Sequence, residues 1–268
     1  MNTSLPFRQA VWLAAASVSL IAAGCGRRAE TAVQRADSSA TTPPDGPFGN
    51  ATIRGTVRFA GSAPANPLID MRAVPSCRGI YHSPPRQLSV IVNRNGTLAN
   101  VFVYVKRGLP SGSHYTAPPD TLLLSIQRGC QYQPRVFGLM VGQALQLRND
   151  DAVSHEIDAH GVKVRSFTIP LAAGRSSHHV FRSPEVMVPL KCGTHRWMRA
   201  YVGILPHPFF AITGDDGRFT ISHLPPGTYT LEAWHEGYGR RSATVTVGDS
   251  TTQHVTFTYA ATASETSE

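Results

Sequence analysis

The chain has 268 residues, with 25 Lys and Arg against 17 Asp and Glu, a formal net charge of +8. Charged residues make up 16% and apolar residues 41%, which excludes a wholly disordered chain and a coiled coil. Gly (23) and Pro (20) are frequent, and with plentiful Thr and few charges they favour an all-β chain with many turns.

In chain order, Arg8 and an apolar run over 10–23 lead into Ala22-Ala23-Gly24-Cys25. The run is short for a membrane span and has the layout of an export signal. The small residues ahead of Cys25 resemble the lipobox of bacterial lipoproteins, with Ala22 where Leu is usual. The resemblance implies a signal peptide over 1–24 and lipidation of Cys25. It also implies a mature chain held in the bacterial cell envelope, on the periplasmic face or the cell surface. An ordinary secretory signal or a retained short anchor is the alternative, and each takes the chain out of the cytoplasm. Gly26 gives no sign of inner-membrane retention. Residues 25–49 have hardly any large apolar side chain and read as a flexible tether. A basic surface outside the cytoplasm suits acidic protein partners or anionic head groups. Nothing resembles a nucleic-acid motif, so no nucleic-acid partner is expected.

Residues 53–59 alternate apolar and polar, as a half-buried strand does. Runs at 88–92 and 99–105 flank Asn95-Gly96, a hairpin signal. Further strands are expected at 122–126, 136–140, 144–148, 162–169, 179–182, 186–191 and 200–204. After these come 209–213, the turn 214–217, 218–221, the Pro225-Pro226-Gly227 turn, 228–234, 241–247 and 254–259. Short strands spaced in this way predict one or two sandwiches. No amphipathic helix longer than two turns is expected.

The chain has four cysteines. A thiolate, two imidazoles and a long axial thioether form the blue-copper ligand set. Cys192, His195 and Met198 are spaced C-x2-H-x2-M, and His155 follows the strand-like run 144–151. Residues 120–205 resemble the cupredoxins, and the C-x2-H-x2-M loop is like that of amicyanin. In that family a strand ends in Asn and the first His ligand follows six residues later, as Asn149 and His155 do. The resemblance implies one mononuclear copper held by His155, Cys192, His195 and Met198. It makes His195 the exposed ligand and electron port, with Arg196 and Trp197 beside it. Glu156 departs from the family, which commonly has Asn there. A carboxylate at that place would lower the reduction potential. With Cys25 lipidated and Cys192 in the metal loop, elimination pairs Cys77 with Cys130 in an oxidising compartment. Two buried thiols or a second metal site are the alternatives. His160, His178 and His179 read as a solvated loop, and His235 as a strand cap without function.

Residues 210–221 and 224–231, with their Asp-Gly and Pro-Pro-Gly turns, resemble the carboxypeptidase regulatory-like domain, a small transthyretin-like sandwich. Its opening strands would be 53–57 and 100–105. The expected organisation is therefore 50–119 as N-terminal strands of that sandwich, 120–205 as the cupredoxin-like domain, 206–260 as the closing part and 261–268 as a disordered tail. This nests one module in the other; a tandem order is the rival. The expected fold class is all-β, a cupredoxin-like Greek-key sandwich plus a smaller transthyretin-like sandwich. Four protein ligands leave no open position for catalysis, and no Ser/His/Asp or paired-carboxylate motif stands out. The expectation is an electron carrier that is not an enzyme, with a redox partner protein of acidic character in the cell envelope. The rival is a metal-free binding or structural module, and a copper store or chaperone is a weaker third reading.

Overall fold

The computed structural model describes residues 46–127 and 129–261. The expected signal peptide, the lipidated Cys25, the tether up to residue 45 and the tail from 262 onward lie outside the described residues.

β1 (Ala51–Ala60) is inward-facing at alternate positions, so Ile53, Val57 and Phe59 enter a core. It pairs in parallel with β16 (Thr252–Ala260) and antiparallel with β13 (Arg218–Leu224). Facing this three-stranded sheet is a four-stranded one. Its strands are β2 (Phe102–Arg107), β12 (Phe210–Ile212), β14 (Gly227–His235) and β15 (Gly239–Val247), in the order β12-β2-β14-β15. Val103, Val105, Phe219, Tyr229, Leu231 and Phe257 fill the space between the sheets. Burial of such side chains supplies the main drive for a sandwich.

Between β2 and β12 the chain builds a second sandwich. One sheet has β4 (Gln131–Gln133), β3 (Leu122–Gln127), β6 (Ala144–Asn149) and β9 (Ser176–Val180). The other runs β5 (Val136–Met140), β11 (Arg199–Leu205), β10 (Glu185–Lys191), β7 (His155–Ala159) and β8 (Phe167–Leu171). Leu124, Leu139, Leu145, Leu147, Ile157, Val188, Leu190 and Val202 form its core. The strands before and after this insertion close on one another through the β1–β13, β1–β16, β2–β12 and β2–β14 pairings.

The two sandwiches share a tight seam. The Phe102 ring lies against Gly138 and Gly203, which are register partners on β5 and β11, and a Cβ at either glycine would strike it. Phe210 stacks on Phe102 at 5.5 Å. Tyr201 meets Trp234 at 5.0 Å, and Arg135 pairs with Glu236 where both side chains are nearly enclosed, 12% and 8% exposed.

Several expectations change. Residues 88–92 do not form a strand; the Asn95-Gly96 signal gives only a turn, Gly96 N–H to Asn93 C=O at 2.9 Å, and an isolated Val92–Leu98 bridge. Val90 and Val92 of this run still pack against the first core. Residues 61–100 also do not all belong with the first sandwich. Ile69, Met71 and Cys77 are buried in the core of the second, and one helical turn, α1 (Pro75–Arg78), sits there. Phe48, assigned to the tether, packs edge-on against Tyr115 and Phe209 at 5.5 and 5.8 Å. β8 starts at Phe167, later than read, and His178 and His179 stand in strand β9, not in a loop. His179 stacks on Phe167 at 3.8 Å.

Candidate metal centre

β6 ends at Asn149 and β7 begins at His155. The fully buried Asn149 amide donates to Val153 C=O at 2.8 Å and Leu171 C=O at 2.9 Å, and its oxygen accepts Asp151 N–H at 3.0 Å. One side chain thus ties both ends of the loop that presents His155, which explains the Asn-to-His spacing physically. β10 lies between β7 and β11, with Lys191 opposite both Asp158 and Arg199. Cys192, the next residue, therefore leaves the sheet beside His155. Tyr132 bridges the two strands, its hydroxyl donating to Glu156 C=O with Lys191 C=O 3.1 Å from the same oxygen. A tight turn then returns the chain, Met198 N–H to His195 C=O at 2.9 Å.

The outcome is three donors facing one point. His155 Nδ1 and His195 Nδ1 are 3.0 Å apart. Cys192 Sγ lies 3.5 Å from His195 Nδ1 and 4.0 Å from His155 Nδ1. His155, Cys192 and His195 together offer ligand atoms all within 4.8 Å of one another, each residue buried. Met198 is 1% exposed and belongs to the same buried cluster as Cys192. Glu156 N–H points at the Cys192 sulfur, 3.5 Å away. The Glu156 carboxylate lies over Gly193, where a Cβ would collide with it, so the departure from Asn places a negative charge on the ligand loop.

Asp151 is a residue that motif reading missed. Its buried carboxylate accepts from His155 Nε2 at 3.0 Å and from the N–H groups of Gly129 and Cys130, each at 2.9 Å. The bond to Nε2 puts the His155 proton there and leaves the Nδ1 lone pair for a metal. An acid four residues before the expected ligand was the available signal. Burial works to depress the His155 imidazole, but hydrogen bonds to Asp151 and Cys192 outweigh it and hold the group above its usual value. For Cys192, burial works upward, and contacts from His155 and the N–H groups of Glu156, His195 and Thr194 bring the thiol below its usual value. Burial and the neighbouring His155 both lower His195. The lowered Cys192 and His195 suit a thiolate facing a neutral imidazole at His195.

One expectation about this site fails. His195 is 2% exposed, not the exposed ligand. Cys77 and Cys130 form a disulfide with Cα atoms 5.7 Å apart, and Cys77 Sγ stands 3.9 Å from His195 Nε2. α1 thus covers the imidazole edge. The Trp197 ring lies 5.2 Å from the His195 ring, and its indole N–H donates to Cys130 C=O at 2.9 Å.

Residues 204–260 match the family model of the carboxypeptidase regulatory-like domain. No curated protein matches the chain. Solved structures with a likeness to it include a purple cupredoxin from Nitrosopumilus maritimus, 26% identical, covering 31% of this chain and 98% of its own, TM-score 0.28. A copper-containing nitrite reductase from Thermus scotoductus SA-01 is 18% identical over 38% of this chain and 26% of its own, TM-score 0.30. A reduced amicyanin variant is 15% identical over 37% of this chain and 99% of its own, TM-score 0.29. The fold is all-β on its own strands, the segment 204–260 matches the carboxypeptidase regulatory-like model, and the structural neighbours include a cupredoxin.

The donor chemistry suits copper. A thiolate and two imidazoles, with the thioether of Met198 buried in the same core, form a soft to borderline set. The separations of 3.0 to 4.0 Å among the three donors leave room for one ion and no more.

Proposed function

We propose that the chain is a lipid-anchored, one-electron carrier of the bacterial cell envelope, using a mononuclear copper site, and is not an enzyme. The observation that carries this reading is the buried convergence of His155 Nδ1, His195 Nδ1 and Cys192 Sγ, with Met198 buried on the loop that carries Cys192 and His195. Copper bound there would supply a one-electron couple. The residues themselves hold the geometry fixed, which lowers the reorganisation that each electron transfer needs. Asn149 and Tyr132 clamp the ligand strands, Asp151 sets the His155 ring, and Glu156 N–H bonds to the sulfur. With the edge of His195 covered, the half-buried Trp197 ring is the residue that leads from it toward the surface. The +8 charge of the chain suits an acidic redox partner.

The test uses the full chain, expressed with export and supplied with Cu(II). An intense thiolate-to-copper band and a reversible voltammetric wave are expected, both lost in Cys192→Ser. A colourless protein that binds no copper would overturn the reading. Mass spectrometry of the membrane fraction should show a mature chain that begins at an acylated Cys25. A Cys25→Ser chain that is not lipidated should appear in the soluble fraction.

A further inference from the structure

We propose that the Cys77–Cys130 disulfide is an exchangeable cap on the metal centre, reduced by a dithiol and thereby uncovering the Nε2 edge of His195. The proposal deepens the copper reading, but its structural content concerns the chain alone.

The position of the bond carries the argument. A disulfide that only braced the sandwich could lie anywhere in its core. This one touches His195 and lies close to His155. Cys77 Sγ is 3.9 Å from His195 Nε2, and Cys130, Asp151 and His155 offer donor atoms within 4.8 Å of one another. Asp151 joins the two systems, since its carboxylate holds the Gly129 and Cys130 N–H groups and also His155 Nε2. Cys130 itself is held at φ 51°, a left-handed conformation that a non-glycine residue keeps only when its surroundings enforce it.

Beside α1, Met71 is buried in the second core and Val74 and Tyr81 pack against it. α1 is one turn with no side-chain N-cap. Beyond it, Tyr81 reaches across to Gly129 C=O at 2.8 Å and receives Gln131 Nε2 at 3.0 Å. Ile80 is 46% exposed. A cavity of about 400 Å³ opens beside the cap, lined by Ser76, Ile80, Cys130, Asp151 and Val153 among others. It brings an approaching group to the Cys130 side of the bond. Both sulfurs are buried, so attack accompanies a local opening of α1.

The exchange is balanced as follows. A thiolate of the dithiol attacks Cys130 Sγ, forming a mixed disulfide and expelling Cys77 as a thiolate. The second thiol of the reductant, once deprotonated, attacks its own partner sulfur and expels Cys130 as a thiolate. The reductant leaves as a disulfide, and its two thiol protons end on Cys77 and Cys130. α1 is then no longer tied to Cys130 and is free to leave the His195 edge.

The experiment treats the full exported chain with dithiothreitol under native conditions, in metal-free and copper-loaded forms. Alkylation and peptide mass mapping count the thiols at Cys77, Cys130 and Cys192. Diethyl pyrocarbonate labelling reads the accessibility of His195. The expected result is reduction of Cys77–Cys130 with the β-sheet circular dichroism retained, and a severalfold rise in His195 labelling in the metal-free protein. A disulfide that yields only on denaturation, or equal labelling of His195 before and after reduction, overturns the proposal. A Cys77→Ala, Cys130→Ala double variant should label like the reduced wild type. If it does not fold, the reduction of wild type still decides. Because thiol count and labelling are read without metal, they stand apart from the copper reading, which the visible band of the loaded form tests separately.

Discussion

Two regions of the molecule bury histidines, and they use them oppositely. His155 and His195 are 1% and 2% exposed in the second sandwich, and His235 and His207 are 1% and 8% exposed at the first sandwich and the link into it. Burial is therefore the same. What differs is the company. His155 has a carboxylate behind it and a thiol and an imidazole in front. His235 stacks on Tyr238 at 5.1 Å, accepts Gly237 N–H on Nδ1, and among the described residues has no partner for Nε2. Burial, with the Arg135 charge added, pushes His235 down to about 4. Burial likewise takes His207 to about 4. A buried histidine becomes a ligand when a second group fixes its tautomer and a third shares its target; without them it is a neutral packing residue.

The comparison can be broken most severely at the ligands. His155→Ala should abolish metal binding, while His235→Phe should leave one metal per chain, read by metal analysis after loading. Next in size is the seam beside His235. Glu236→Ala leaves the Arg135 guanidinium nearly enclosed and unpaired, which should cost about 3 kcal/mol in urea unfolding. Metal binding should survive that change in the folded protein.

Acid sharpens the contrast further. His207 and His235 titrate near 6.5 when unfolded and at about 4 when folded, so between those values the unfolded chain binds more protons. Their neutral forms favour the fold fully above about 6.5, and this stability falls as the pH drops toward about 4. The loss is on the order of 3 kcal/mol for each histidine. Urea midpoints across that window should show a shallower slope in His235→Phe than in wild type. The smallest of these effects is Asp151→Asn, which weakens the hold on His155 Nε2. Metal affinity should fall roughly 10–100-fold, with the fold retained, as measured by competition with a chelator.

Much of this was legible along the chain. The all-β class followed from turn residues and alternation, and most strands of the second sandwich from 136 onward lie where the pattern puts them, since period-two apolar spacing is a local property. β4 and β7 were missed. Gln131–Gln133 is too short to show a pattern, and His155–Ala159 reads as polar because His155, Glu156 and Asp158 are three of its five residues. The run 88–92 looked like a strand but lacked a partner of matching length.

The amino-acid order by itself determined the strand periodicity, the turn positions and the C-x2-H-x2-M spacing that places Cys192, His195 and Met198 on one loop. All three are set by neighbours a few residues apart. Tertiary structure decided the rest. It brought Cys77 against His195 across 118 residues, turned an expected port into a covered edge, joined Asp151 to both the disulfide turn and His155, and seated Phe102 on two glycines of another sheet. Those contacts form because apolar surface and buried polar groups must find partners in three dimensions, and no local period encodes which distant residue will be there.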